Sequence, residues 1–248
     1  LLVHLVRAEG PIRLNIRALK SDRQKLKQII RIGLPAGLQG MLFSISNVLI
    51  QSAVNGFGTI MVAASSAASN IEGFVGTSMN AFYNAAITFT GQNMGAKKYD
   101  RIDTIAKIST GLIVFTWITM GGLTMLFARP LLNIYTDNPQ VVELGIVRIN
   151  ILMAAYFTCG MMNVYPGITR GMGYSIPPML STLIGACLLR IVWLWTVFAA
   201  WPTPAVLFLC YPVTWLISGT GQVGIFLYAR KKVRRRDWEA IGEGLAKR

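Results

Sequence analysis

The sequence predicts an all-α integral membrane protein built as a bundle of six membrane-spanning helices. Hydrophobic residues make up 53% of the 248 residues and charged residues only 14%, a balance typical of membrane rather than soluble proteins. Several stretches without a charged residue are at least as long as the roughly 18 residues that mark a candidate spanning helix. Lipid offers backbone N–H and C=O groups no partners, so we expect each stretch to be helical.

Turn-forming segments divide these apolar stretches into six spans. The segment at residues 55–59 contains Asn and two Gly, the segment at 201–204 contains two Pro, and each breaks a stretch too long for one helix. Residues 128–140 separate the third span from the fourth. We therefore predict spans at residues 33–54, 60–92, 108–127, 141–169, 177–200 and 205–229.

Proline and glycine positions predict local features of these spans. Pro35 lies in the first turn of the first span, where its missing N–H does little harm. Pro166 lies late in the fourth span and could bend it, either for function or passively. A G-x-G-x-x-G sequence at residues 219–224 lies inside an apolar span, so it predicts helix packing and not a dinucleotide site. Two spaced glycine pairs predict the same kind of packing: Gly33/Gly37 and Gly167/Gly171.

Basic residues predict the orientation of the bundle. Twenty-one of the 24 Lys and Arg residues lie in residues 1–31, 95–107 and 229–248 or at Arg170, all on one side of a six-span chain. Cytoplasmic loops of membrane proteins are enriched in Lys and Arg, so both ends of this chain should be cytoplasmic. We predict a linker or interfacial helix at 1–31, the membrane bundle at 32–229 and a basic cytoplasmic tail at 230–248.

Glu72 lies alone on a polar stripe of the second span. A helix drawn through residues 61–89 at about 100° per residue places the small and polar side chains on one side. A carboxylate that faced lipid would cost about 2.5–3.5 kcal/mol or more, so this stripe should face the protein interior or a water-filled cavity. With Glu72, the stripe comprises Ser65, Ser69, Asn70, Gly73, Gly76, Thr77, Asn80, Asn84 and Thr88.

Two roles for Glu72 are open from the residues alone. It could handle a transported cation or proton, because protonation and cation binding compete for one charge and can bias two conformations. It could instead make a structural polar contact. Arg190, deep in the fifth span, could pair with Glu72, bind backbone carbonyls or contact a substrate. Further polar candidates for a transport cavity are Gln39, Asn47, Gln51, Asn80, Asn84, Asn163 and Tyr165.

Several other site types are disfavoured by the sequence. Cys159, Cys187 and Cys210 lie singly inside spans with no C-x-x-C, which indicates packing residues and neither a disulfide framework nor a zinc site. The single histidine, His4, cannot anchor a metal cluster. An intramembrane serine protease needs a histidine beside its nucleophile, and an aspartyl protease needs paired acids. We therefore expect no enzyme and no cofactor, and nucleic acid is not an expected partner despite the net charge of +14.

Three segments carry a resemblance to a known family. Arg-Ile-Gly-Leu-Pro-Ala at 31–36 opens the first span, Gly-Gln-Asn-Met-Gly-Ala-Lys-Lys-Tyr-Asp-Arg at 91–101 closes the second, and Thr-Arg-Gly-Met-Gly at 169–173 ends the fourth. In this order they resemble the carboxy-terminal half of a multidrug and toxic compound extrusion (MATE) transporter, nearest the bacterial DinF-like branch. The resemblance covers nearly the whole chain, and Gly-Gln-Asn-x-Gly-Ala is its most specific element.

The resemblance implies one lobe of a twelve-helix, two-lobe transporter. It implies a secondary active multidrug efflux antiporter of the bacterial inner (plasma) membrane that exports cationic or amphipathic compounds in exchange for H⁺ or Na⁺. Its partners would be those small molecules, the lipid bilayer and an amino-terminal lobe. The alternative within the superfamily is a flippase of lipid-linked precursors, which would need a cluster of cavity arginines, and only Arg190 and Arg148 are candidates for one.

The chain also departs from the family at its acidic positions. Phe43 and Ser44 stand where NorM-like members carry a glutamate after the first span's proline, and residues 158–160 replace an aspartate before the fourth span's Arg-Gly. Tyr174 replaces the usual acid after the Gly-x-Gly turn. In DinF-like relatives coupling is attributed largely to an acid of the amino lobe. Glu72 is therefore a local candidate and not an inherited coupling site.

Overall fold

The computed structural model describes residues 22–246, with side chains described at 22–27 and 29–235. Within these residues the chain folds into helices and no strand, which confirms the predicted all-α class. The eight helices are α1 (Arg23–Asn55), α2 (Thr59–Gly95), α3 (Arg101–Leu126), α4 (Ala128–Asn133), α5 (Pro139–Ala154), α6 (Tyr156–Gly171), α7 (Ile176–Phe198) and α8 (Pro204–Ala246).

Local chemistry sets where these helices begin. The Asp22 carboxylate accepts hydrogen bonds from the backbone N–H groups of Gln24 and Lys25, at 2.8 and 3.2 Å, and so caps α1. Asn138 caps α5 in the same way through the Gln140 N–H at 3.0 Å, and Pro139 occupies the first turn, where no N–H is needed. The turn before α2 needs Gly58, because its φ of +90° is a conformation that other residues rarely adopt.

Most of the predicted spans are helices that can cross a membrane. Among the described residues, α1, α3, α7 and residues Pro204–Arg235 of α8 are long and apolar enough by length and composition, and α5 with α6 makes a fifth if the bent pair is one span. Helix α2 is long enough, but the polar residues of its stripe lower its hydropathy. The predicted spans at 33–54, 60–92 and 205–229 lie inside α1, α2 and α8. Those at 108–127 and 177–200 extend one or two residues past the ends of α3 and α7, and the one at 141–169 covers most of α5 and α6.

The bend in the fourth span occurs at a different residue from the one the sequence suggested. Helix α6 continues through Pro166, and the break lies at Ala155, where α5 and α6 meet at 52°. The Ala155 carbonyl accepts hydrogen bonds from both the backbone N–H and the side-chain hydroxyl of Thr158, at 2.9 and 2.7 Å. A local Thr bond of this kind competes with the continuous helical ladder and explains the position of the break.

The structure describes the two ends of the chain only in part. Residues 1–21 of the predicted linker, which include His4, lie outside the described residues, and the linker's last residues begin α1. The segment predicted as a basic tail continues α8 as helix to Ala246.

The core forms where α6 packs between α2 and α8. Every residue from Val164 to Arg170 on α6 is buried, and Met79 of α2 and Phe208 of α8 are 2% and 1% exposed. Helix α1 is much more exposed than the rest, with Leu34 and Val48 at 60% and 66%. The three cysteines are free and buried, in line with a packing role.

Glycines on α6 allow α2 to approach closely. A Cβ added at Gly167 would lie 2.9 Å from the Tyr83 carbonyl oxygen, and one added at Gly171 would lie 2.6 Å from Cβ of Thr90. The predicted packing role of this pair is therefore visible in the structure. The pair Gly33/Gly37 is different, because an added Cβ at either position meets nothing within 4 Å among the described residues.

We expect Gly167→Ala to lower the stability of the purified protein by about 1–3 kcal/mol, because the new methyl group would collide with α2 backbone that cannot move aside. Thermal unfolding in detergent would measure the change. Gly224→Ala is the matched control, since its added Cβ meets nothing within 4 Å and a helical Gly→Ala change is neutral or favourable there. Equal stability of the two variants would contradict the close α2–α6 contact.

Candidate functional site

Two adjoining cavities lie between α1, α2, α6, α7 and α8, and Arg148 of α5 also lines the larger one. One has a volume of about 380 Å³ and the other about 230 Å³, and Phe43, Asn80 and Asn163 line both. The larger cavity has an aromatic side formed by Tyr156, Tyr211 and Trp215, whose rings pack edge-on or tilted with centroids 5.6–5.8 Å apart. Its polar side is formed by amide side chains and arginines. A cavity with aromatic walls and a few fixed polar groups is the usual form of a small-molecule site.

Glu72 forms an ion pair with Arg148 of α5. The Arg148 Nε and Nη2 groups donate to the two carboxylate oxygens at 2.9 and 3.0 Å, so the pair is bidentate. The side chains are 12% and 8% exposed. Both oxygens of the only acid deep in a predicted span therefore have a charged donor, and the charge of Glu72 is compensated inside the bundle.

Arg148 is held from three sides. Its Nη1 donates to the Ser65 hydroxyl at 2.7 Å, and its guanidinium carbon lies 5.2 and 5.7 Å from the ring centroids of Phe208 and Tyr211. Ser65 and Glu72 are seven residues apart on α2, which places them on the same helix face two turns apart. The polar stripe thus provides both oxygen partners of one arginine, and α8 provides the rings.

Arg190 of α7 is the most buried arginine in the described structure, at 1% exposure, and it lines the larger cavity. Its Nη1 donates to the Asn47 side-chain oxygen at 2.7 Å, and its Nε lies 3.5 Å from the Thr214 hydroxyl oxygen. The guanidinium carbon is 5.0 Å from the Phe43 ring centroid and 4.7 Å from that of Tyr211. The Nη2 atom is buried and has no hydrogen-bond partner among the described residues.

Arg170 of α6 lines the smaller cavity. It donates to the Tyr83 hydroxyl at 2.7 Å and to the Gln39 side-chain oxygen, and its guanidinium lies 5.8 Å from the Tyr83 ring centroid. Gln39 continues the network by donating to the Thr182 hydroxyl at 2.9 Å. These bonds connect α1, α2, α6 and α7 around the cavity.

Six of the candidate residues line one or both of the two cavities. Gln39 lines the smaller cavity, Asn47, Gln51 and Arg190 line the larger one, and Asn80 and Asn163 line both. Gln51 is exposed and donates to Asn55 one turn later.

Three of the residues considered from the sequence have other surroundings in the structure. Asn84 is exposed and lines neither cavity. Tyr165 points into the core, where it contacts the Thr110 hydroxyl at 3.0 Å and packs edge-on against Phe226. Glu72 pairs with Arg148 and not with Arg190, which instead uses neutral oxygens and aromatic rings.

Arg148 is the residue whose pairing with Glu72 the sequence analysis did not predict. It lies mid-helix in α5 and is 6% exposed. Its position seven residues into the predicted fourth span was the available signal. Among the described residues no three His, Cys, Asp or Glu side chains come together as metal ligands would.

A profile of the MatE family matches residues 35–196 of the chain. The "Probable multidrug resistance protein NorM" of Thermotoga maritima is 24% identical over 158 residues, which are 64% of this chain and 34% of that protein. The "Probable multidrug resistance protein YoeA" of Bacillus subtilis is 22% identical over 186 residues, 74% of this chain and 40% of that protein. The chain thus spans less than half the length of these relatives.

The fold is similar to that of solved membrane transporters. The bent form of the Vibrio cholerae MATE transporter VcmN superposes with a TM-score of 0.78 at 21% identity, over 86% of this chain and 48% of that one. At this identity the likeness concerns the fold alone.

We expect Glu72→Gln and Arg148→Gln each to lower stability by about 3–5 kcal/mol, because each leaves a buried charge without its partner. The double variant should recover more than half of that loss, since no uncompensated charge remains. Thermal unfolding of the purified protein would measure this coupling. Glu143→Gln is the control, because its partner Arg129 is 59% exposed and exposed pairs contribute about 0–1 kcal/mol. If the double variant lost as much stability as the two single variants together, the direct pairing of Glu72 with Arg148 would be contradicted.

Proposed function

The chain belongs to the MatE (multidrug and toxic compound extrusion) family, and from that membership we propose that it forms the carboxy-terminal lobe of a secondary active exporter. The exporter would carry amphipathic compounds across the inner membrane in exchange for H⁺ or Na⁺. Two observations support the lobe interpretation: the chain spans about half of the solved transporter it resembles, and an apolar, exposed α1 is suited to contact with lipid or a second lobe.

The larger cavity is the observation that supports export most directly. Its rings can pack against an apolar substrate, while its amide side chains adapt their hydrogen bonds to different polar groups. Export would follow if the cavity bound substrate in two conformations with different affinity, because a ligand or ion shifts a conformational equilibrium only by that difference. No covalent chemistry is needed, and the family is one of transporters and not of enzymes.

We propose that the coupling ion acts mainly outside this lobe. Both oxygens of Glu72 are bonded to Arg148, so a proton or Na⁺ would have to displace an arginine from a buried, bidentate site. The positions where NorM-like relatives carry acids hold Phe43, Ser44 and Tyr174 here. A coupling acid in an amino-terminal lobe is the remaining arrangement within the resemblance.

The exporter is favoured over a lipid-linked-precursor flippase. The relatives reported above are described as multidrug resistance proteins. Of the three arginines that are buried among the described residues, Arg148 already has a carboxylate partner, which leaves two that line different cavities. We further propose that both ends of the bundle lie at the cytoplasmic face of a multi-pass protein, following the distribution of basic residues.

We expect Asn80→Trp in the intact transporter to lower dye export by about tenfold, equivalent to about 1.4 kcal/mol. Asn80 lies where the two cavities join, and the larger indole would occupy space that a substrate needs. Export of rhodamine 123 and of fluorescein from membrane vesicles, under an imposed H⁺ or Na⁺ gradient, would measure the loss. Asn133→Trp on the exposed surface of α4 is the control. Wild-type export of both dyes by Asn80→Trp would mean that the substrate does not pass through this cavity.

We expect Glu72→Gln to reduce the amount of folded transporter but to leave the pH dependence and the choice of coupling ion unchanged for the molecules that fold. The physical reason is that Glu72 balances the charge of Arg148 and exchanges no ion during the cycle. Initial export rates at several pH values, normalised to the folded protein recovered, would test this. A flattened pH profile in Glu72→Gln would instead assign the coupling role to Glu72.

A further inference from the structure

Arg190 is a buried cation for which the described lobe supplies no anion. The ion pairs found among the described residues join Arg129 to Glu143, Arg148 to Glu72 and Arg230 to Asp103. None of them involves Arg190, although this side chain is 1% exposed. Burial of an ionised group is strongly unfavourable unless an opposite charge or a full set of hydrogen bonds compensates it.

The contacts of Arg190 compensate its charge only in part. Asn47 and Thr214 supply neutral oxygens, and the rings of Phe43 and Tyr211 supply their electron-rich faces. The Nη2 group is left without a partner in the described structure, on a residue that lines the larger cavity. An oxyanion that reached this buried group through a small movement of the cavity wall would accept from it and form a charge-assisted hydrogen bond, which is stronger than a neutral one.

The rest of the cavity wall does not cancel this positive charge. Glu72 does not line either cavity and is bonded through both oxygens to Arg148. The adjoining cavity adds a second arginine, Arg170, whose described partners are the neutral side chains of Tyr83 and Gln39. The wall formed by this lobe therefore attracts anions and disfavours cations.

We propose that Arg190 is the binding point for the carboxylate of an amphipathic aromatic anion, whose ring packs against Tyr156, Tyr211 and Trp215. Those aromatic side chains line the same cavity as Arg190, and Tyr211 contacts both the guanidinium and Trp215. This proposal rests on the proposed export function, because it names the class of compound that the same cavity binds. It differs from the cationic substrates that the family resemblance implies.

Asn47→Asp is the variant that tests the proposal with the least disturbance. It places a carboxylate oxygen where the amide oxygen already lies, 2.7 Å from Nη1 of Arg190, and so neutralises the arginine without changing its shape or position. Arg190→Gln, which removes the charge, and Arg190→Lys, which retains it, form a second and independent comparison. Asn133→Asp introduces the same change of charge on the exposed surface of α4 and is the control.

Two xanthene dyes of opposite charge serve as probes. Fluorescein carries a carboxylate, and rhodamine 123 carries a similar ring system with a positive charge. Binding of each dye to the purified intact transporter would be measured by fluorescence anisotropy, and export of each by vesicles. We expect Asn47→Asp to weaken fluorescein binding by about tenfold to a hundredfold, the range of a lost hydrogen bond to a charged group. Rhodamine 123 binding should be unchanged or tighter, and Arg190→Lys should retain more fluorescein binding than Arg190→Gln.

The outcomes separate the two proposals. Unchanged fluorescein binding by Asn47→Asp, or an equal loss for both dyes, would overturn the anion site. Export of rhodamine 123 by a wild-type protein that does not bind fluorescein would also overturn it, while leaving the proposed export function in place. Binding of fluorescein that depends on Arg190, in a protein that exports neither dye, would support the anion site and contradict the export function.

Discussion

The ion pair between Glu72 and Arg148 is the interaction on which the interior of this bundle depends. A charge within a membrane protein is tolerated only where an opposite charge or a set of hydrogen bonds compensates it. The pair meets that requirement by joining α2 to α5, while Ser65 and the rings of Phe208 and Tyr211 enclose the arginine. Three helices are thereby held at one point, and the larger cavity lies beside it.

The pair also determines which charged side chains of the cavity wall have no opposite charge. Because Glu72 is fully engaged by Arg148, it cannot balance Arg190 or Arg170, which are held by neutral oxygens and aromatic rings. Close packing of α6 against α2, which Gly167 and Gly171 allow, accompanies the hydrogen bond from Arg170 of α6 to Tyr83 of α2. The larger cavity therefore combines aromatic walls with a buried arginine that has a donor to spare, and its preference for anions follows from which charges are already paired.

Much of the fold was predictable because the membrane restricts both the backbone structures that can cross it and the places where polar side chains can lie. Long uncharged stretches must be helical, and the polar stripe of α2 must avoid lipid, so the spans and most cavity residues followed from the order of residues alone. The part of the stripe that lines the cavities did not follow, since Asn84 lies on the same stripe as Asn80, yet only Asn80 lines the cavities. Periodicity places residues on a helix face, but only the neighbouring helices decide how much of that face is covered.

The sequence by itself determined the helical membrane class, the approximate spans, the isolated acid and the set of amide and arginine side chains from which a cavity could form. Only the tertiary structure decided that Glu72 pairs with Arg148, that the bend lies at Ala155 and that Arg190 faces the cavity without an acid. The physical reason is that charge compensation depends on distances between residues remote in the chain. Glu72 and Arg148 are 76 positions apart, and no local pattern specifies that they meet at hydrogen-bond distance.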